Sequence, residues 1–154
     1  FHGRSRRPPK DAVNAMLSFA YTLMANDIAT ALETVGLDPY VGFLHTLRPG
    51  RMSLALDLME EFRAYLGDRF VLSLINRRQI AASDFQSQGD KGIVMTEKGM
   101  KTFISAWQSR KREEITHPYL NEKMEIGLLP YAQAMLLARY IRQDIDDYPV
   151  FIVK

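Results

Sequence analysis

The chain of 154 residues contains no cysteine. That excludes disulfides, thiolate-bound zinc and iron–sulfur clusters within it, and it fits a reducing compartment, so the expected location is cytoplasmic. No apolar run approaches the roughly 18 residues a membrane span requires, so no membrane partner is expected. No secretory signal is visible, although the sequence opens at Phe1 without an initiator methionine and reads as a piece of something longer. Internal repeats, low-complexity runs, Gly-rich phosphate loops and a Ser-His-Asp order are all missing, which removes the common nucleotide-binding and hydrolase signatures. Excess charge is missing too. The formal net charge is +2, so the chain is no uniformly basic coat for nucleic acid, and any phosphate binding must come from local patches.

What is present is ordinary globular material, 47% hydrophobic and 25% charged, long enough for one domain with a sizeable core. Residues 1–10 form a basic, proline-containing leader with Arg4, Arg6, Arg7 and Lys10, read either as a solvated linker or as an arm on DNA phosphates. Helical spacing from Val13 to Leu32, with Asp11 as cap and Gly36 as terminator, predicts a long core helix in which Asn14 and Tyr21 make buried hydrogen bonds. Asp38-Pro39 predicts a short helix by the Ncap–N1 rule. A helix capped by Ser53 is expected to reach Leu74 or Asn76, kinked near Gly67, and Ile80–Phe85 with Ile93–Met95 predicts a small hairpin. Thr96 caps a helix reaching about Ile115 with Met100, Phe103, Ile104 and Trp107 on its apolar side. His117-Pro118 opens another short helix, with His117 a cap or surface residue rather than a ligand. A last helix spans Tyr131 to Ile145 with Ala132, Met135, Leu136, Tyr140 and Ile141 inward. The fold class is all-α, a multi-helix globular domain over residues 11–147 with at most one small β-hairpin. The apolar tail 148–154 either folds onto it or meets a partner.

The chemistry-bearing stretch is Gly42-Phe43-Leu44-His45, a turn at Arg48-Pro49-Gly50-Arg51, and the helix from Ser53. At about 100° per residue, Asp57 and Glu60 fall roughly 60° apart, opposite the stripe of Ala55, Leu58, Met59, Phe62 and Leu66. The carboxylates are therefore expected to look outward, with His45 joining them if the loop folds back. An imidazole with two carboxylates suits Mn²⁺ or Mg²⁺. Equally, an Asp-x-x-Glu pair on an exposed helix face is commonly solvated charge. Arg48 and Arg51 read as a phosphate clamp beside the site or as a solvated turn. Arg77 and Arg78 complement a helix C-terminus, with DNA contact as a second role.

These residues also carry a resemblance. Gly36-Leu37-Asp38-Pro39, Gly42 to His45, Ser53 to Glu60 and Tyr148-Pro149-Val150-Phe151 resemble the helical domain of the CRISPR adaptation integrase family, the metal-dependent DNA endonucleases and strand transferases that install spacers. Arg6-Arg7-Pro8-Pro9, Asp11 to Asn14, Gln108 to Glu113 and His117-Pro118 match as well, so the similarity runs from about Arg4 to Lys154. The resemblance implies that His45, Asp57 and Glu60 are catalytic and ligate Mg²⁺ or Mn²⁺. It also implies that Arg48 and Arg51 hold phosphates nearby, while Arg6, Arg7, Arg77 and Arg78 are DNA-binding candidates from charge and position. The implied partners are spacer precursor, repeat and branched DNA, a second copy of the full-length chain, and a small companion adaptation protein. It further implies that a ligand Glu and an N-terminal β-domain lie upstream of this sequence, leaving residues 1–154 poorly active alone. The competing expectation is a non-catalytic helical scaffold that binds DNA or protein.

Overall fold

A computed structural model of the chain describes residues 3–5, 8–45 and 48–153. Its centre is helix α1, Ala12–Thr34, capped by the Asp11 carboxylate, which accepts the Asn14 amide. The helix ends where Gly36 turns to φ +82°, and the Leu37 amide closes back on the Leu32 carbonyl. Met16, Ala20, Met24, Ile28 and Leu32 recur at helical spacing and are all buried. Asn14 and Tyr21 make the expected hydrogen bonds. Asn14 is fully buried, takes the Arg4 guanidinium and the Ser5 amide on Oδ1, and donates to the Gly3 carbonyl. This ties residues 3–5 to the core, so that part of the leader is no free tether. Arg6 and Arg7 lie outside the described residues.

Around α1 pack α2 (Ser53–Phe62), α3 (Arg69–Asn76) and α5 (Leu129–Ile141), while α4 (Glu97–Lys111) packs on α3. Helices α2 and α3 are one continuous run interrupted by a π-helical segment, Arg63–Asp68, which is where the kink near Gly67 was expected. The cause is close approach. A Cβ on Gly67 would stand 2.8 Å from the Tyr21 ring, and the Tyr21 hydroxyl bonds Asp68 within the same segment. Two aromatic groups fill the interior, the first packed edge-on and the second tilted. Phe70 meets Phe103 at 5.1 Å and Trp107 at 5.0 Å, while Phe151 of the tail meets Phe62 at 5.0 Å. Trp107 is therefore core, and the tail folds onto the domain.

The all-α class holds, with two small antiparallel strand pairs as the β content among the described residues. A hairpin forms as expected from β1 (Phe85–Ser87) and β2 (Ile93–Met95), with Phe85 opposite Met95, but its first strand begins where Ile80–Phe85 was expected to end, because Ala82–Asp84 is a 3-10 turn closed by the Asp84 carboxylate on the Ala81 amide. The second pair, β3 (Glu114–Thr116) with β4 (Lys123–Glu125), stands where a helix end and a helix at His117-Pro118 were expected. His117 explains the difference. Its Nδ1 accepts the Tyr119 and Leu120 amides, its backbone amide reaches the Glu122 carbonyl, and Asn121 sits at φ +57° to close a turn between strands. Nor does Asp38-Pro39 start a helix. The Pro39 carbonyl instead accepts the Leu54 and Ala55 amides at 2.9 and 3.2 Å, capping α2 from outside. Ser53 is accordingly the first residue of α2, fully buried, and supplies no side-chain cap. Helix α5 ends at Ile141 rather than Ile145 because Gln143 turns to φ +64°. Its buried face holds Gln133, Ala134, Leu136 and Leu137, whereas Met135, Tyr140 and Ile141 are exposed; on α4 Met100 and Ile104 are exposed beside buried Phe103 and Trp107.

Phe103 is fully buried and touches Phe19 and Phe70 edge-on. Phe103→Ala is expected to lower unfolding stability by about 3–5 kcal/mol, read as a shifted urea midpoint with an unchanged slope.

Candidate functional site

The Asp57 side chain lies under the loop that precedes α2, not out in solvent. The residue is 3% exposed. Its Oδ2 accepts the Phe43 and Leu44 amides at 2.7 and 2.9 Å, and its Oδ1 accepts the His45 amide at 3.0 Å. The His45 ring closes the set, with Nδ1 2.5 Å from Oδ1. The outward orientation expected for Asp57 is thus corrected. The helical wheel placed it opposite the apolar stripe, but residues 42–45 cover that side. Burial pushes the Asp57 carboxyl up, and the hydrogen bonds from Leu44, the His45 ring, Phe43 and the His45 amide outweigh it, holding the group below its ordinary range. Asp57 is therefore an anion with an acceptor's work on both oxygens. Because Nδ1–H of His45 faces that anion, Nε2 keeps the ring's one available lone pair.

The loop can come this close only because residue 42 is glycine. A Cβ there would stand 2.7 Å from Asp57 Oδ2 and 2.7 Å from the Ser53 backbone. The same arrangement thrusts the side chains of Tyr40, Phe43 and Leu44 outward, 47%, 66% and 72% exposed.

Glu60 lies on the next turn of α2, exposed, and pairs with Arg63 at 3.2 Å. Glu61 turns the other way and accepts from Tyr148, Gln133 and the Phe151 amide. So His45 and Asp57 are brought together, while Glu60 has Arg63 as its partner. Among the described residues no three His, Cys, Asp or Glu side chains gather closely enough to hold an ion. Arg48 is exposed and Arg51 half-buried in the turn entering α2; Arg77 and Arg78 are exposed after the end of α3.

The sequence assigns no role to Gly42, Arg63 or Gln133. Arg63 had a signal, since it follows Glu60 by three residues on a helix. Gln133 had one too, as an uncharged polar residue inside the apolar face of α5. Gly42 had none, because its role depends on a contact with a helix eleven or more residues away.

With this geometry in hand, comparison with known proteins gives the class first. The model of the family described as CRISPR associated protein Cas1 matches residues 1–109, and the chain belongs to that family. It is 62% identical over 152 residues to the CRISPR-associated endonuclease Cas1 1 of Chlorobaculum tepidum, which covers 99% of this chain and 44% of that protein. It is 51% identical over 154 residues to the Cas1 endonuclease of Leptospira interrogans, covering all of this chain and 60% of the relative. The chain thus spans roughly half the length of such relatives. Among solved structures, a CAS1 protein from Thermotoga maritima superposes with a TM-score of 0.81 at 29% identity, over 90% of this chain and 42% of that one. A casposase bound to integration product shares the fold, with a TM-score of 0.86 at 23% identity over the whole chain and 45% of the casposase. No helix among the described residues is long and apolar enough to cross a membrane.

Two measurements test the geometry. Gly42→Ala is expected to push the loop off Asp57, so that the Phe43, Leu44 and His45 amides exchange hydrogen far faster while amides of α1 keep their protection. The second concerns buried His117, whose Nδ1 faces two N–H donors and whose Nε2 donates to Gln133 at 3.0 Å. Burial lowers its pKa against the raising effect of Gln133 and Glu122. A depressed histidine favours the neutral form, so its contribution is complete above the unfolded value near 6.5 and is lost as pH falls from there through the folded value. Urea titrations between pH 7.5 and 5 are expected to show that loss, and His117→Asn to flatten it.

Proposed function

We propose that the chain is the helical catalytic domain of a CRISPR adaptation integrase, a metal-dependent DNA endonuclease and strand transferase that inserts spacers into a repeat array. The observation that carries this reading is the Asp57–His45 pair. A buried anion fixes an imidazole by Nδ1 and leaves Nε2 available, at the start of a helix that carries a second acid. The relatives named as Cas1 endonucleases support it through identities above 50%.

The donor chemistry fits a divalent cation in part. His45 Nε2 and the Glu60 carboxylate would hold Mg²⁺ or Mn²⁺, with Asp57, its oxygens already occupied, orienting His45; further donors would come from water, DNA or the upstream Glu that the resemblance implies. When bound, such an ion supplies positive charge where a phosphate gains negative charge during transfer. The chain's own contribution is positioning. In strand transfer a 3′-hydroxyl oxygen forms a bond to phosphorus, the bond from phosphorus to the leaving 3′ oxygen breaks, and the attacking hydroxyl loses its proton. His45 Nε2 offers a lone pair to a cation or to that proton, and Asp57 keeps the ring from turning away. Arg48 and Arg51, with Arg77 and Arg78, would carry phosphates, and Arg6 and Arg7 join them in the proposal. The partners proposed are spacer and repeat DNA, a second copy of the longer protein and a small companion protein. Solved structures of similar fold include Cas6-RT-Cas1–Cas2 complexes. The pairing of Glu60 with Arg63 favours the alternative of a non-catalytic scaffold, on which Glu60 is only surface charge and Asp57 only shapes the loop.

The test is Mn²⁺-dependent nicking of branched DNA. Residues 1–154 alone are expected to run near background, and the chain joined to its upstream segment to be active. In that longer protein His45→Ala and Glu60→Ala are expected to abolish nicking. Asp57→Asn is expected to weaken Mn²⁺ binding about 10–100-fold, as removal of a residue that orients a ligand does. Neutralising Arg48 and Arg51 is expected to flatten the salt dependence of DNA binding by about one unit per lost phosphate contact. Absence of Mn²⁺-dependent nicking in the longer protein would leave the scaffold reading, and nicking that survives His45→Ala would remove His45 from the site.

A further inference from the structure

Glu61 stands next to Glu60 in the chain, and the two do opposite things. Glu60 faces out, whereas both oxygens of Glu61 are committed inward. Oε1 accepts the Tyr148 hydroxyl at 2.8 Å, and Oε2 accepts the Gln133 amide at 2.9 Å and the Phe151 backbone amide at 2.8 Å. Gln133 is fully buried in the middle of α5 and is itself oriented, because its Oε1 accepts from His117 Nε2 at 3.0 Å. The Tyr148 hydroxyl is held protonated, its pKa raised strongly by burial and then by the Glu61 charge, so it stays a donor. Phe151 locks the arrangement by packing on Phe62 at 5.0 Å and Tyr65 at 5.9 Å. The tail is thereby strapped across the end of α2.

The place of attachment matters. Successive residues on a helix point about 100° apart, so a clamp on Glu61 sets the direction of Glu60 as well. Directly after Phe62 the backbone becomes π-helical through Asp68, so the last turn of α2 does not run on into a regular α-helix that would fix its rotation. On the other side Arg63, which pairs with Glu60, is itself bonded to the Tyr21 hydroxyl at 3.3 Å and packed over that ring. The acid on the exposed face is thus bracketed by one anchor to α1 and one to the tail.

We propose that Glu61 is a positioning residue, and that the strap from Tyr148 to Phe151, seated on it, holds the last turn of α2 at the rotation from which Glu60, once released from Arg63, reaches the cation. The proposal rests on the reading of Glu60 as a cation ligand given above. It assigns the tail to the site without any tail atom touching the ion. It also makes Glu61 unavailable as a ligand, since an oxygen that turned outward would give up Tyr148 or Gln133 and Phe151.

The experiment is a double-mutant cycle on Mn²⁺ affinity, read by electron paramagnetic resonance of free Mn²⁺ with no DNA present. Tyr148→Phe, which removes one hydroxyl, is expected to weaken Mn²⁺ binding about 10-fold, in the range for residues that orient a ligand. In a Glu60→Gln background, itself weakened, the same change is expected to cost nothing further. Glu61→Gln, which keeps one acceptor oxygen, is expected to lose less than Glu61→Ala and serves as the second probe if either neighbour perturbs folding. A strap that only stabilises the fold would lower the melting temperature equally in both backgrounds and leave Mn²⁺ affinity alone, and that result overturns the proposal. An equal loss of affinity in both backgrounds overturns it too, since the strap would then act through some other group. Full Mn²⁺ affinity in the Glu60→Gln single variant is a different failure, because it removes Glu60 as a ligand and with it the reading on which the proposal rests.

Discussion

The candidate site depends on one carboxylate. Asp57 gathers three consecutive backbone amides and an imidazole, and in doing so gives residues 42–45 the only regular partner they have among the described elements. An ionised group taken out of water must be compensated by donors, and a loop supplies them more readily than a helix, whose amides are already spent. The exchange works in both directions. The loop gains a fixed shape without any secondary structure of its own, and the helix gains a buried anion that would otherwise be costly. Gly42 makes the contact sterically possible, and the Pro39 carbonyl, capping the first amides of α2, brings the two segments together.

Much of the fold was legible in the sequence. Helix α1 carries one unbroken apolar period between a capping Asp11 and a terminating Gly36, so its local signals agree with its tertiary role. The interruption at Gly67 was readable for the same reason, since a glycine within a helical stripe marks a place where something approaches closely. The failures have a common origin in contacts between distant segments. Asp38-Pro39 looks like a helix start, yet the Pro39 carbonyl is used by α2 instead of by its own chain. Strands β3 and β4 span three residues each, too few for a two-residue period to show. On α5 the apolar residues cover more than one face, and only the position of α1 decides that Leu137 and Ala138 go in while Tyr140 and Ile141 stay out.

In the site itself the sequence anticipated that His45 and Asp57 meet and misjudged the environment of Asp57. A helical wheel assigns a carboxylate opposite the apolar stripe to water, and it has no means of knowing that a loop returns to cover that side. The cationic residues show a similar division. Several arginines and lysines that raise the charge count are absorbed internally, Arg4 by Asn14, Arg63 by Glu60 and Tyr21, and Lys111 by Asp27. Arg48 in the turn before α2 and Arg77 and Arg78 after α3 stay exposed.

The orientation of Gln133 has a consequence for which sequences the fold will accept. His117 arrives as a donor, because its other nitrogen is spent on two backbone amides, and Glu61 arrives as a pure acceptor. The residue between them must accept at one end and donate at the other, at a fixed length and without charge. Asparagine is too short, glutamate presents two acceptors, and methionine or leucine presents neither. In the ordinary twenty-letter vocabulary one letter satisfies all of these terms, so position 133 is spelled by hydrogen-bond grammar, while its neighbour Ala134 is spelled by volume alone.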